Sequence, residues 1–410
     1  MPVKLDKIAA AMDAPPAPSV WRWLLLLGLM LLLGLGLTTW LAPDLSTHDS
    51  NNFWLLALGA PFAIWFVLSG VRSLFYLGQW GVVDGWNEAR EADLAQNIRR
   101  GRRSQQVLAV SLHTALRERG ADNGELQLDA LRNGTKVLTV QPDWLNSKER
   151  IRHSRLPPEQ GESSEVLLRR VLQHVLADIA KALKPLPDDK PLALLLDMNS
   201  SLPDSTLSEM WERVWSESGI RQTATRVEGS GLSVVDAWLD ERIQDQALLL
   251  VVAFQVAPGA AQGTAEAAVG LLFGNRLTQT QLEPMAYLHR PEQEREPTPE
   301  RLLYATRQAL DWVPVQAVSP EHVWVAGVDP ARRAAVTMAI SAAPLLAEHK
   351  QGLHDLDACI GHSHCAAPWV AIAAAVESIR RENTPHFIFS GDSTADSRLW
   401  CSVVMPLSVS

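Results

Sequence analysis

The sequence predicts a mixed α/β body of two similar halves, carried behind an N-terminal helical hairpin. Three observations lead there. Two apolar runs near the N-terminus are each long enough to cross a bilayer. Short apolar runs alternate with helix-patterned segments through the rest of the chain. The order of those elements in one block then recurs in the next.

The hairpin comes first. Trp21 to Ala42 reads WRWLLLLGLMLLLGLGLTTWLA, and about Phe53 to Val71 reads FWLLALGAPFAIWFVLSGV. Each supplies the ~20 apolar residues that a bilayer core of ~30 Å requires. The connection, Pro43 to Asn52, carries Asp44 and Asp49 and no Lys or Arg. Lys4, Lys7 and Arg22 precede the spans, and Arg72, Arg90, Arg99, Arg100, Arg102 and Arg103 follow them. Positive charge stays inside, so both termini and the large domain are expected on the cytoplasmic side of a bacterial inner membrane. Trp21, Trp23, Trp40, Phe53, Trp54, Phe75, Tyr76 and Trp80 fit aromatic interface belts. A cleaved signal peptide fits less well, because the first run is too long and no small-residue cleavage site precedes the connection. A buried soluble hairpin is opposed by a leucine run that is apolar on every face.

Composition sets bounds. The chain has 410 residues, net charge −9 and a pI near 5.7. An acidic balance argues against nucleic-acid binding by phosphate neutralisation. The basic run Arg99 to Arg103 (RRGRR) suits anionic headgroups. The three cysteines, Cys359, Cys365 and Cys401, make no disulfide framework and suit a reducing compartment. The expected division is a two-span anchor over 1–80, a connector over 81–104, a first α/β half over 105–280 and a second over 300–410.

In order, Gly85 to Arg99 reads as a polar helix. Gln106 to Leu112 and Gly134 to Gln141 read as strands, and Lys148 to Ser163 as a loop. Ser164 to Leu183 carries apolar residues at helical spacing. Leu192 to Asp197 (LALLLD) is a buried-type strand. Asp204 or Ser205 caps a helix holding Leu207, Met210, Trp211 and Val214. A helix over Val234 to Ile243, the strand Ala247 to Phe254 and the run Glu266 to Phe273 close the first block. The stretch Arg290 to Glu300 (RPEQEREPTPE) has the composition of a solvated linker. In the second block, His322 to Gly327 matches Leu192 to Asp197, and a helix follows over Ala334 to Ala342. Ala366 to Arg380 matches Val234 to Ile243, His386 to Ser390 matches Ala247 to Phe254, and Leu399 to Met405 matches Glu266 to Phe273. An internal duplication accounts for the shared order.

Ile360 to Ile379 reads IGHSHCAAPWVAIAAAVESI. Gly361, His362, Ala366 and Ala367 resemble the Gly-His-x-x-Gly-Ala-Ala-Gly motif of β-ketoacyl synthases in the thiolase-like superfamily. The later FIFSGDSTADSRLWCSVVM resembles that family's strand, Gly-rich turn and final strand, with Asp392 and Asp396 in the turn. The resemblance implies a thiolase-like duplicated α/β domain. It also implies a nucleophilic cysteine opening the central helix of the first half, a lysine five residues before His362, and a second histidine after the Val323–Ala326 strand. This chain departs at each place. Val227 to Ser233 (VEGSGLS) offers Ser230 or Ser233 and no cysteine, Asp357 replaces the lysine, and AGVDPARR holds no histidine. Condensation needs a thiolate and oxyanion donors, so loss of condensing activity is expected. No catalytic residue is assigned; if the chain is active, His362, Cys365 and Ser230 are the candidates.

Cys359, His362 and Cys365 are of metal-ligand type, but their spacing matches no common zinc site, so neither metal nor cofactor is expected. Gly229 to Gly231 (GSG) is a turn rather than a phosphate loop. Trp211, Trp215, Trp238 and Trp312 sit at core-type helical positions. The layout is similar to two-span proteins encoded beside effectors of bacterial type VI secretion systems. That resemblance implies an immunity or adaptor protein that binds a secreted toxin or a secretion-apparatus component. The competing expectations are a membrane-bound acyltransferase or condensing enzyme using His362 with a displaced Cys or Ser, and a structural assembly subunit.

Overall fold

The computed structural model describes residues 3, 5–41, 50–118, 124–144, 148–159, 161–260, 262–314, 319–347, 352–392 and 398–407. Most of the expected connection between the two apolar runs, 42–49, lies outside the described residues, as does Asp396. The chain divides into two units, Lys4–Ile98 and a larger one beginning at Arg99.

The first unit is helical. Helix α1, Val20–Leu41, has no buried residue. Ser50–Trp54 leads through a π-helical stretch, Leu55–Gly59, into α2, Ala60–Gly101. The π stretch falls where Pro61 lacks an N–H and crowds the preceding turn. Gly34 of α1 faces that spot, since a Cβ there would collide with the Ala57 carbonyl oxygen. Trp65 Nε1 donates to the Trp23 carbonyl at 2.9 Å. Two helices are long and apolar enough to cross a membrane, with mean hydropathies of 2.2 and 1.9. At 1.5 Å per residue the 42 residues of α2 run ~63 Å, about twice an apolar bilayer core. Its later turns are polar and grip the N-terminal segment. There Trp86 Nε1 donates to the Ala10 carbonyl, Arg90 Nε to the Ala9 carbonyl, and Asn87 pairs with both backbone groups of Met12.

The second unit is α/β. Among the described residues its strands are β1 (Ser104–Thr114), β2 (Thr139–Pro142), β3 (Arg150–His153), β4 (Leu192–Asn199), β5 (Ala224–Arg226), β6 (Leu248–Gln255), β7 (Ala267–Asn275), β8 (Ala286–His289), β9 (Glu292–Gln293), β10 (His322–Ala326), β11 (Leu353–Asp355), β12 (His386–Ser390) and β13 (Trp400–Met405). Its helices are α3 (Glu125–Arg132), α4 (Ser164–Leu183), α5 (Asp204–Glu217), α6 (Leu232–Glu241), α7 (Pro299–Asp311), α8 (Arg333–Ala342), α9 (Leu356–Cys359) and α10 (Ala367–Glu382). The main sheet runs β11-β10-β12-β13-β8-β1-β7-β6-β4-β5.

That order is a duplication. In the first half β5, β4 and β6 are parallel, and β7 is antiparallel to both β6 and β1. In the second half β11, β10 and β12 are parallel, and β13 is antiparallel to both β12 and β8. The halves join where β1 and β8 pair antiparallel, Ser104 opposite His289 and Val107 opposite Ala286, as a pseudo-twofold relation requires. Alternate residues of each strand serve different layers. Leu249, Val251, Trp324 and Ile388 pack with α6 and α10 in one shared core. Leu248, Leu250 and Val252 pack with α4 and α5, and Val323, Phe387 and Phe389 with α7 and α8. Strands covered on both faces must be apolar throughout. Helix α10 is buried from Ala367 to Val376, and its alanines let strands approach it closely.

Several sequence expectations are corrected. Gly134 to Leu138 is not strand, and the loop expected from Lys148 contains β3, which pairs with β2. Asp204 begins its helix rather than capping it; Pro203 holds the cap position. Trp238 and Trp312 are buried, whereas Trp211 and Trp215 pack at the edge of their core as a tilted pair 5.7 Å apart. The largest correction is Arg290 to Glu300. Arg290, Glu292 and Glu294 are buried. The Arg290 guanidinium bonds Asp236 at 2.9 Å, Asp240 at 2.7 Å and the Arg100 carbonyl at 3.1 Å. Both Glu294 oxygens bond Arg332 Nη2 at 2.7 Å. These charges are paired with partners distant in sequence, so composition alone misread them.

Candidate functional site

Strands β4 and β12 and helices α6 and α10 bring their ends to one cavity of about 350 Å³. Asp197 comes from the end of β4, Ser230 and Ser233 from the start of α6, His364 and Cys365 from the turn before α10. Ser390, Asp392, Arg398 and Trp400 come from around β12 and β13. Carboxyl ends of parallel strands are where open α/β sheets place ligands.

Asp197 organises this cavity. Its Oδ2 accepts the Gly231 N–H at 2.9 Å and the Trp369 indole N–H at 2.8 Å. One carboxylate thereby ties the start of α6 to the first turns of α10. Burial pushes its acidity toward the protonated form, and the two donors oppose that. Gly231 has φ +57°, a conformation that favours glycine.

The candidate nucleophiles are poorly equipped. Cys365 Sγ lies 3.6 Å from the Phe254 carbonyl, and burial with Asp197 nearby pushes its thiol up to about 12. A reactive thiol needs the opposite shift. Ser230 is exposed, and its carbonyl accepts the Ser233 hydroxyl at 2.6 Å. His364 has φ +40° and donates from Nδ1 to the Asp392 carbonyl at 3.2 Å.

His362 does not line the cavity. Its backbone bridges the halves: its N–H donates to the Gly263 carbonyl, and its carbonyl accepts from Ala265 N–H and Gln255 Nε2. Gly361 has φ +100°, and a Cβ there would lie 2.8 Å from the Thr264 carbonyl oxygen. The His362 ring makes a 3.4 Å contact from Nδ1 to Asp357 Oδ1. That carboxylate raises the imidazole's affinity for a proton, against partial burial. Asp357 in turn accepts the N–H groups of Gly327 and Val328 at 2.8 and 2.9 Å, closing the end of β10. The residue standing where the family lysine was expected is therefore a backbone clamp.

Cys359 is buried, and its thiol is pushed up to about 11. Among the described residues, Cys359, His362 and Cys365 do not converge on a point where one ion could be held. The triple that does converge is His322, Glu382 and His386. Of the residues singled out from the sequence, Cys365 and Ser230 line this cavity and His362 does not, while Asp197 and Trp369 were not singled out as site residues. The one signal for Asp197 was a lone carboxylate ending the otherwise apolar LALLLD strand.

No protein-family model and no curated protein matches the chain. Solved structures do. The ishigamide ketosynthase/chain length factor superposes with a TM-score of 0.54 at 12% identity, over 74% of this chain and 100% of that one. The PfaC keto synthase–chain length factor gives 0.52 at 12% identity, over 75% of this chain and 43% of that one. A type II polyketide ketosynthase, described as AntDE bound to its acyl-carrier protein AntF, gives 0.50 at 10% identity over 74% and 100%. At such identities the likeness concerns the fold alone. The chain has a mixed α/β thiolase-like fold of the ketosynthase kind.

Proposed function

We propose that this chain is a membrane-anchored, thiolase-like scaffold that binds a protein partner and performs no condensation. The observation that carries this reading is the cavity between α6 and α10. Its thiol is held protonated by burial, its serines have no histidine bonded to them among the described contacts, and its buried carboxylate, Asp197, is committed to Gly231 and Trp369. The Asp357 clamp adds support, because it puts a structural anion where the resemblance implied a lysine.

The two apolar helices support anchoring. The flanking arginines and the acidic connection support a bacterial inner membrane with the α/β domain on the cytoplasmic face. The layout supports an immunity or adaptor role beside a type VI secretion system, with a toxin or an apparatus component as partner. The net charge of −9 favours a basic partner surface.

Purification of the full chain from its native membrane after chemical crosslinking tests the reading. One protein recovered in equal stoichiometry is expected. Recovery of the full chain alone, with crosslinking verified on known complexes, contradicts it.

A further inference from the structure

In the helical unit, the N-terminal segment and α2 enclose an apolar groove of about 820 Å³, with Pro15 and Pro16 on one side and Val71, Phe75, Gly78 and Val82 on the other. The first wall is a strap held at both ends. At one end Asn87 pairs with both backbone groups of Met12, while Trp86 and Arg90 hold the carbonyls of Ala10 and Ala9. At the other end α1 begins at Val20. Between them Asp13 to Ser19 reads DAPPAPS, and proline keeps such a stretch extended and stiff. The steps from Met12 to Val20 cover about 25 Å at ~3.1 Å each. The steps of α2 from Val71 to Asn87 cover about 24 Å at ~1.5 Å each. A stiff strap of matching length runs along the helix without slack, and the space between them stays open.

The lining selects an apolar occupant. Gln79 is the one polar side chain in it, and none is charged. Leu74 is 69% exposed, Phe75 68% and Val82 66%, so a contiguous apolar surface is left open, and such surfaces mark interaction sites. A Cβ on Gly78 would meet nothing within 4 Å, which makes a notch in the helix face. Continuity identifies what lies over it. Val71 ends the second apolar run, so the groove continues the lipid-facing surface of that run without a break. Tyr76 and Trp80 stand midway along it, and Trp80 Nε1 donates to the Tyr76 hydroxyl at 3.0 Å. Rings with polar tips favour the boundary between headgroups and acyl chains. An uncharged lining also gives the polar rim of a protein partner nothing to pair with.

We propose that this groove holds one acyl chain of a bilayer phospholipid, clamped between the Pro15–Pro16 strap and the Val71–Val83 face of α2. The inference rests on the membrane anchoring proposed above. From Val71 to Val83 the helix rises ~18 Å, against the ~15 Å half-thickness of a bilayer core that one chain fills. The chain covers the apolar surface that the strap leaves open, and the notch at Gly78 lets it lie close to the helix backbone.

The test is photolabelling of the full chain in liposomes of phosphatidylethanolamine and phosphatidylglycerol, the former carrying a diazirine on one acyl chain, with labelled residues mapped by peptide mass. Label is expected on the two apolar runs, which reports anchoring, and also on Pro15, Pro16 and the α2 face from Leu74 to Val83. Gly78→Phe fills the notch and should abolish label on the strap while leaving the apolar runs labelled as before. Val82→Trp, toward the other end of the groove, is the second variant, and circular dichroism establishes that each is folded. Labelled runs with a bare groove overturn the proposal and leave anchoring intact, whereas bare runs overturn both. Unchanged strap labelling in both folded variants contradicts a clamped chain. Disulfide-linked dimers of Val82→Cys would give the groove to a second copy and also overturn it.

Discussion

The carboxyl ends of the parallel strands in both halves and the amino ends of those in the second half present different situations. At the carboxyl ends each buried carboxylate is matched. Asp357 takes two backbone N–H groups and contacts His362, while Asp197 takes one backbone N–H and one indole. At the amino ends His322 contacts Glu382 at 2.9 Å, and the buried His386 Nε2 has no partner among the described residues. The difference teaches where to look for binding in a reused fold. In the cavity the buried carboxylate of Asp197 holds two helix starts, while the buried Ser390 Oγ has no partner among the described residues.

Substitution at each end puts this contrast at risk. Asp197→Ala should be severe, because it orphans the Gly231 N–H and the Trp369 indole inside the molecule. At ~1–3 kcal/mol for each unsatisfied group, a loss of about 2–6 kcal/mol is expected in denaturant unfolding. Glu382→Gln should change stability by less than ~1 kcal/mol, since its ion pair with Arg132 is only partly shielded from solvent. Equal effects at the two ends would erase the distinction.

A smaller effect sharpens it through pH. Asp357 raises the affinity of His362 for its proton above that of an ordinary histidine, ~6.5. The contribution is therefore complete below that value and is lost as pH rises through the raised one. The stability difference between the native chain and His362→Gln should shrink from pH 6 toward ~8, when unfolding is followed across that range. A difference that is flat with pH would show that the Asp357 contact carries no charge.

Much of the fold was legible because burial on both faces writes itself as continuous apolar runs. LALLLD, the strand from Leu248 and HFIFS all declare strands, and α10 declares itself by unbroken small apolar residues. The duplication was legible for the same reason, except at its seam. Strand β8 is four residues long, and the buried Arg290, Glu292 and Glu294 after it look like linker, since their partners Asp236, Asp240 and Arg332 lie far away in sequence. His362 was legible through its motif, but not that its ring would turn to Asp357. The histidine cluster was invisible, because it forms only when β10, β11 and β12 align residues 32 and 62 to 64 positions apart, as the pairs 322–354, 324–386 and 322–386 do.

The central claim is that the cavity between α6 and α10 no longer performs acyl chemistry. Incubating the full chain with acyl-coenzyme A and with acylated carrier protein, then weighing it intact, asks this directly. An unchanged mass is predicted. A stable acyl adduct on Ser230 or Cys365, abolished by His362→Ala, would contradict it.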